Sequence, residues 1–365
     1  MALQCGIIGI TNVGKTTIFN CISKTKGETN AFAFSASKSN IGVVQVPDIR
    51  LYELEKHQVT DRIVHTAIEI VDIPGLAKGS NKGEGVGNKF LGDIRNTDAL
   101  IHVLRCFDNE SLAHIEGSVD PVRDLETIDL ELQVKDLESV EKKIERLERA
   151  SRTGDKEAKR GLEVLNNYRE HFENFNNART LDVKDNERKF VDDLFLLTMK
   201  PVIYVCNVDE KSAVTGNKYV DKVKELLFGK NAEILVIAGA IEAEIAELEN
   251  DEDRMAFLQD AGLAEPGVDK LVRAAYKMLN LQTFFTVGQM EIRAWTIKKG
   301  MTAPQASGVI HSDLERGFIR AEVMKYNDFV RLGSEHACKE AGRFFVEGKN
   351  YVVEDGDILH IRFNV

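Results

Sequence analysis

Several features that would assign a chain to a specialised class are missing from these 365 residues. The five cysteines are scattered, odd in number and without Cys-x-x-Cys spacing, which argues against a disulfide framework or a zinc site. No apolar run reaches membrane-spanning length, and the first residues lack the basic-then-apolar layout of a signal peptide. The expected compartment is therefore the cytoplasm, with no membrane contact.

An excess of basic charge is also missing, because the formal net charge is −11. General DNA binding depends on neutralising phosphates with Lys and Arg, so a chain this acidic is not a general DNA coater. We expect no sequence-specific DNA partner, whereas a local basic face that contacts RNA stays open.

What is present is an ordinary globular composition, with 43% hydrophobic and 29% charged residues. The length predicts two or three domains. Short runs rich in Val, Ile and Leu alternate with helical patterns, which indicates an α/β fold with a mostly parallel sheet covered by helices. These runs are 3–10, 65–75, 98–107, 201–207 and 233–239.

A different pattern follows in residues 124–150, where apolar residues recur at gaps of three and four. This spacing is typical of a long amphipathic helix with a coiled-coil-like seam. The seam residues are Leu130, Val134, Leu137, Val140, Ile144 and Leu147. Helical spacing then resumes with Leu162, Leu165, Tyr168 and Phe172. We predict an antiparallel helical hairpin inserted at about 121–195, either a binding arm or a plain pair of packed helices.

From about residue 281 the residue pattern is typical of β-strands, which indicates a separate small domain. In it, Asp355-Gly356 between alternating apolar runs predicts a β-hairpin.

The stretch "GITNVGKTT" places Gly9, Gly14, Lys15 and Thr16 at the spacing G-x-x-x-x-G-K-[ST], after a strand and before a helix. Backbone N–H groups of such a loop cradle phosphate oxygens. Lys15 would bring its charge to the β- and γ-phosphates, in binding and in catalysis, and the Thr16 hydroxyl would ligate Mg²⁺. The predicted nucleotide-binding residues of this loop are Asn12, Val13, Gly14, Lys15, Thr16 and Thr17.

A second element, "VDIPGL", ends an apolar strand with Asp72 and is followed by a glycine-rich stretch. Asp72 would hold Mg²⁺ through water, and the amide of Gly75 would meet the γ-phosphate and sense its loss. Leu76 stands where Ras-type enzymes place a glutamine that orients the attacking water. We therefore expect slow intrinsic hydrolysis.

The stretch "PVIYVCNVDE" ends a strand where GTPases carry the guanine-reading sequence Asn-Lys-x-Asp. Asn207 is kept, but Val208 replaces the lysine and Glu210 replaces the aspartate. A carboxylate only accepts hydrogen bonds, which suits guanine N1–H but not the N1 acceptor of adenine. We predict that Asn207, Val208 and Glu210 belong to the nucleotide-binding site. Asn207 would brace the phosphate loop, the backbone near Val208 would pair with the N6 and N1 edge of adenine, and GTP would bind more weakly than ATP.

Taken in order, "NVGKTT", "DIPGLAKGSNKGEGVGNKFL", "VRAAYKMLNLQTFFTVG", "APQASGVIHSD" and "EGKNYVVEDGDILHIRFNV" resemble the YchF family of Obg-like ATPases, which are translation-factor-related P-loop NTPases. The resemblance covers essentially the whole chain. It implies a G-domain over residues 1–280, interrupted by the hairpin, and a β-grasp-like TGS domain over 281–365. It also implies use of ATP in preference to, or as well as, GTP, and association with ribosomes or RNA.

The resemblance also implies roles for single residues. His114 matches a histidine suggested to replace the missing glutamine in catalysis, and Asn12 matches an asparagine that helps related P-loop proteins bind K⁺. Family members usually carry a Mg²⁺-binding threonine in the first switch, and the matching residue here is Ala36. Either Ser35 or Ser37 would stand in for it, or the metal would take a water.

The leading hypothesis is a slow, switch-like ATPase that acts on the translation machinery. One alternative is a GTP-specific ribosome-assembly GTPase. Another is a nucleotide-gated interaction protein in which hydrolysis is incidental.

Overall fold

Helices and strands alternate through the first two thirds of the chain, as the apolar runs predict. The structure is a computed structural model that describes residues 3–24, 40–74, 86–152, 154–248 and 250–364. Its strands are β1 Gln4–Ile8, β2 Asn40–Gln45, β3 Ile63–Val64, β4 Ala67–Asp72, β5 Ala99–Arg105, β6 Val202–Asn207, β7 Glu233–Ile237, β8 Leu281–Val287, β9 Ile292–Lys298, β10 Phe318–Lys325, β11 Phe345–Glu347 and β12 Asp357–Phe363. Its helices are α1 Lys15–Lys24, α2 Arg50–Glu55, α3 Val86–Asn96, α4 Pro121–Ser151, α5 Lys156–Glu173, α6 Asp185–Arg188, α7 Lys218–Leu227, α8 Gly239–Glu247, α9 Asp251–Asp260, α10 Gly267–Met278, α11 Ala303–Ile310, α12 Ser312–Arg316, α13 Tyr326–Leu332 and α14 Glu335–Glu340.

The five predicted apolar runs form strands of one six-stranded sheet, in the order β2-β4-β1-β5-β6-β7. The pairings from β4 through to β7 are parallel. Strand β5 is buried along its whole length, as expected for a strand covered on both faces. Because parallel strands end at the same edge of a sheet, the segments after β1, β4, β5 and β6 meet there. That edge carries the candidate site.

The predicted antiparallel hairpin is present as α4 and α5. Asp120 is the N-cap of helix α4, and its carboxylate accepts hydrogen bonds from the amides of Val122 and Arg123 (3.2 and 3.3 Å). Such a cap satisfies amides that have no partner within the helix. The two helices share one apolar core with the segment that follows them. It includes Val140, Ile144, Leu165, Tyr168 and Phe172, with Leu137, Leu147 and Leu162 partly buried against it.

The predicted seam is wrong at its start, where Leu130 and Val134 are 44% and 40% exposed. Leu125 and Ile128 are buried there instead, and Leu125 belongs to a cluster built around β5 and β6. This part of α4 packs against the sheet side of the fold rather than against α5 alone, so a different face is buried. Asp136 is buried too, because its carboxylate accepts two backbone amides of a later 3-10 turn at 2.7 and 2.8 Å.

The chain divides into two compact units that are each discontinuous in sequence. One contains Met1–Gly42 and Glu69–Leu271, and the other contains Val43–Ile68 and Val272–Val365. A single boundary at residue 280 does not describe this division.

The second unit contains a sheet in the order β11-β10-β12-β8-β9-β3. β3 adds to it in parallel with β9, while β10 is antiparallel to β11 and β12. Gly356 makes the predicted turn, with φ of 86°. The hairpin prediction is nevertheless wrong, because β12 after the turn pairs with β10 and β8 rather than with the residues just before it. Asp355 accepts hydrogen bonds from the Thr283 amide (2.9 Å) and from Arg50 (2.8 Å).

All five cysteines are buried free thiols. Over the part of the chain that the structure describes, no helix combines the length and the apolarity needed to cross a lipid bilayer.

Candidate nucleotide-binding site

The loop between β1 and α1 has the conformation that its glycines allow. Gly9 and Gly14 have φ of 148° and 95°, and Asn12 has φ of 61°. A Cβ atom on Gly14 would overlap the Nδ2 atom of Asn207. Glycine is therefore required at position 14 both by the backbone angle and by the close approach of a side chain. Val13 is buried and anchors the loop.

Lys15 is the charged residue at the centre of the loop, and it is only 8% exposed. Its Nζ donates a 2.6 Å hydrogen bond to the carbonyl of Ile10, which carries no formal charge. Burial lowers the pKa of Lys15 to about 8, against the opposing influence of the Asp72 carboxylate. A buried ammonium that is held by a neutral partner favours the arrival of an anion.

Thr16 and Asp72 form a pair beside Lys15. The Thr16 hydroxyl donates to Oδ2 of Asp72 at 3.0 Å. The other oxygen, Oδ1, is buried and has no hydrogen-bond partner among the described residues. Burial raises the pKa of Asp72, whereas the Thr16 hydrogen bond and the Lys15 charge lower it. A hydroxyl beside a carboxylate with an unused oxygen fits a hard cation such as Mg²⁺, which prefers oxygen ligands and retained waters.

Asn207 joins the end of β6 to the phosphate loop, as the sequence predicts. Its Nδ2 donates to the carbonyl of Val13 at 2.9 Å, and its Oδ1 accepts from the amide of Gly239 at 3.0 Å. The residue is 5% exposed, so both hydrogen bonds are shielded from water. The side chain is thereby held between the loop and the first turn of α8.

The predicted adenine contact at Val208 needs a correction. Its amide donates to the carbonyl of Ile237 at 2.9 Å and so is not available to adenine N1; the carbonyl of Val208 is the backbone group that remains. Asp209 accepts from the amide of Ser212 at 3.0 Å and caps a 3-10 turn. Glu210 is exposed in that turn. The Asp209 carboxylate is therefore engaged in the turn, whereas the predicted contact of Glu210 with the nucleotide stays a prediction.

His114 is held by contacts within the protein, and its catalytic role stays a prediction. Its side chain is 4% exposed, and both ring nitrogens have partners within the protein. Nδ1 accepts from the amide of Glu116 at 3.1 Å, and Nε2 lies 3.0 Å from Oδ2 of Asp124. Since Nδ1 accepts, Nε2 is the nitrogen that donates to Asp124.

The remaining predicted residues fall into two groups. Asn12, Thr16 and Thr17 are exposed at the loop, and Asn12 donates from Nδ2 to the carbonyl of Ala113 at 3.1 Å. Gly75 and the residues compared with switch positions lie outside the described residues; these are Leu76, Ser35, Ala36 and Ser37.

Sequence reasoning missed Asp124 and Gly239, which hold His114 and Asn207. Asp124 lies in the first turn of α4 and looks like an ordinary polar helix residue. Gly239 opens α8 after β7. Neither forms a short motif with its partner, because the partners are 10 and 32 residues away.

Comparison with known proteins places this chain in a family. A model described as "50S ribosome-binding GTPase" matches residues 4–167. A second model, YchF-GTPase_C, described as "Protein of unknown function (DUF933)", matches residues 281–364. The "Ribosome-binding ATPase YchF" of Bacillus subtilis (strain 168) is 47% identical over 100% of both chains. The chain belongs to the YchF family.

Further comparisons agree. The YchF protein of Escherichia coli O157:H7, named "Ribosome-binding ATPase YchF", is 45% identical over 100% of both chains. The solved structure titled "Structure of the Schizosaccharomyces pombe YchF GTPase" is 35% identical, with a TM-score of 0.88 over 99% of this chain and 98% of that one. The predicted fold class, a P-loop G-domain with an inserted helical hairpin and a C-terminal domain, is confirmed for this YchF-family chain.

Replacing Asn207 tests whether its hydrogen bonds to Val13 and Gly239 stabilise the fold. Asn207→Ala leaves the buried amide of Gly239 and the carbonyl of Val13 without their partner, so the free energy of unfolding should fall by about 1 to 3 kcal/mol. Urea unfolding followed by circular dichroism measures it. Asn176→Ala is the control, because Asn176 is exposed and should change stability by less than about 0.5 kcal/mol. Equal effects of the two substitutions would contradict the brace.

Proposed function

We propose that the chain is a nucleoside triphosphatase that binds ATP, hydrolyses it slowly and acts as a nucleotide-dependent switch on ribosomes. The observation that carries the proposal is the buried Lys15 beside the half-satisfied Asp72, in a loop whose backbone fits a P-loop. The names of the YchF relatives, "Ribosome-binding ATPase YchF", supply the choice of ATP and of the ribosome. A ribosome-bound role implies a cytoplasmic location.

Each residue of the loop would have its own role in binding the nucleotide and the metal. Backbone N–H groups of residues 12–17 receive the phosphates, and Lys15 neutralises charge on the β- and γ-phosphates. Thr16 would hold Mg²⁺ directly and Asp72 through a water, and the metal would shield the charge on the phosphate oxygens. Asn12 keeps its side-chain carbonyl oxygen for a K⁺ ion, since its Nδ2 is engaged with Ala113.

Slow turnover follows from what the site does not supply. Leu76 has no group that could orient a water, and His114, the candidate to replace the missing glutamine, contacts Glu116 and Asp124 in the ligand-free protein. The remaining contribution is positioning and charge stabilisation by Lys15 and the metal, so a bound partner is expected to accelerate hydrolysis. The domain scheme that goes with this proposal is a G-domain over 1–280 and a TGS domain over 281–365, with residues 43–68 folded into the compact unit that contains the second domain.

Adenine is the proposed base. Val208 brings no lysine stem alongside the base, and the Asp209 carboxylate is occupied by the amide of Ser212. The carbonyl of Val208 is an acceptor for the adenine N6 amino group. GTP is the second candidate, because the related structure from Schizosaccharomyces pombe is titled a GTPase.

Titrations with Mg·ATP and Mg·GTP decide between the two nucleotides. We expect ATP to bind at least about tenfold more tightly, or about 1.4 kcal/mol, by isothermal titration calorimetry. Lys15→Ala should lower the affinity for both nucleotides, which would show that the measured binding occurs at this loop. A tenfold preference for GTP would overturn the adenine assignment.

Ribosomes test the other half of the proposal. The purified protein should co-sediment with ribosomes, and ribosomes should increase its turnover of ATP. If they neither bind the protein nor accelerate hydrolysis, the ribosomal role fails, while nucleotide binding would still stand on the titrations.

The buried lysine predicts a pH dependence of nucleotide affinity. With a pKa of about 8 in the free protein, Lys15 loses its proton between about pH 7 and pH 9, whereas bound phosphate would raise that pKa. Binding therefore takes up a proton, and affinity for Mg·ADP should fall about tenfold over this range. Lys15→Arg should flatten the profile, because a guanidinium does not titrate there. A wild-type affinity that is constant with pH would contradict the prediction.

A further inference from the structure

The turn between β7 and α8 lies beside the end of β6, where the base of the nucleotide is proposed to bind. The carbonyl of Ile237, the last residue of β7, accepts from the amide of Val208 at 2.9 Å. The amide of Gly239, the first residue of α8, donates to Oδ1 of Asn207 at 3.0 Å. Displacement of this turn would therefore displace the hydrogen-bond partners of both Asn207 and Val208.

The N-terminus of α10 packs against both sides of this turn. A Cβ atom on Gly267, the first residue of α10, would lie 3.2 Å from a side-chain carbon of Ile237. The same Cβ atom would lie 2.9 Å from Oε1 of Glu242, which is in the first turn of α8. Glycine permits this close approach, so α10 begins in direct contact with the end of β7 and the start of α8.

Glu242 holds the start of α10 in this place. It is 3% exposed, and its carboxylate accepts from the amides of Gly267 at 2.6 Å and Val268 at 3.4 Å. Amides at the start of a helix have no acceptor within the helix. Burial raises the pKa of Glu242 to about 6, against the lowering effect of the two amides, so the carboxylate is mostly ionised at pH 7. A buried charge of this kind is retained only when it is hydrogen-bonded, and a negative charge suits the positive end of a helix.

We propose that Glu242 is a positioning residue for the nucleotide base: by holding the N-terminus of α10 against the turn between β7 and α8, it fixes the backbone groups to which Asn207 and Val208 bond. Glu242 contacts neither the nucleotide nor the metal in this scheme. The inference rests on the proposed function, because its consequence is measured with ATP.

Glu242→Ala tests the proposal, because it leaves the amides of Gly267 and Val268 without their acceptor. The KM for ATP, and the Kd for Mg·ATP by calorimetry, should both rise about fivefold. At saturating ATP, kcat should stay within about twofold of wild type, because the phosphate loop and Asp72 are unchanged. Glu242→Gln keeps an oxygen that can accept from the Gly267 amide, so its Kd should also stay within about twofold of wild type.

Asp136→Ala is the matched control. Asp136 is also buried in the same unit and accepts from two backbone amides, those of Leu197 and Thr198 at 2.7 and 2.8 Å, but it lies on the helical hairpin. Both alanine variants should have a lower melting temperature, and both are assayed well below the lower of the two. Asp136→Ala should leave the KM for ATP unchanged. If Glu242→Ala does not fold, Glu242→Asp replaces it with the same expected result, because its carboxylate is one methylene too short to reach both amides.

Three results would overturn the proposal. Wild-type affinity in a folded Glu242→Ala would mean that the contact with α10 only stabilises the fold. Equal increases in KM for Glu242→Ala and Asp136→Ala would mean that any loss of stability weakens binding. A lower kcat with an unchanged KM would mean that Glu242 acts on hydrolysis.

Failure of the proposed function would look different. A wild-type protein that binds GTP instead of ATP refutes the adenine assignment, while the same comparison made with GTP still tests Glu242. A wild-type protein that binds neither nucleotide refutes the proposed function and this inference together.

Discussion

The site depends on a buried ammonium and a buried carboxylate that the protein does not fully pair with each other. Lys15 donates a hydrogen bond to a neutral carbonyl. One carboxylate oxygen of Asp72 accepts from Thr16, and the other has no hydrogen-bond partner among the described residues. Each group is costly to bury in that condition. A phosphate chain would satisfy the ammonium, and a hydrated divalent cation would satisfy the carboxylate. One ligand, a metal-bound polyphosphate, offsets both costs.

Side-chain hydrogen bonds hold the phosphate loop and the segment after β5 around this pair. Asn207 ties the phosphate loop to β6 and α8, and Arg105 fixes the segment after β5. Asn12 connects the loop to that segment, and His114 connects the segment to α4. A loop held in this way is organised before a ligand arrives, so less binding free energy is lost in ordering it. The same contacts place the long hairpin in continuity with the nucleotide site.

Local chemistry is what the sequence could predict. The strands, the phosphate loop, Asp72 and the bracing role of Asn207 each follow from a short pattern, and the structure has them where the pattern indicates. Contacts distant in sequence are what it could not predict. Leu130 and Val134 have the spacing of a seam, but the sheet side of the fold decides which face of α4 is buried. Segment 43–68 joins the C-terminal unit through pairing that no motif marks. The contact of His114 with Asp124 joins residues that no motif links, and the amide of Val208 donates to a neighbouring strand.

The most direct test of the account is the Mg²⁺ dependence of ATP affinity in wild type and in Asp72→Asn. Asparagine keeps the size of the side chain and the Thr16 contact but removes the charge that the metal needs. Wild type should bind ATP at least about tenfold more tightly with Mg²⁺ than with EDTA, and Asp72→Asn should lose most of that difference while still binding ATP through Lys15. An unchanged Mg²⁺ dependence in Asp72→Asn, or none in wild type, would contradict the account.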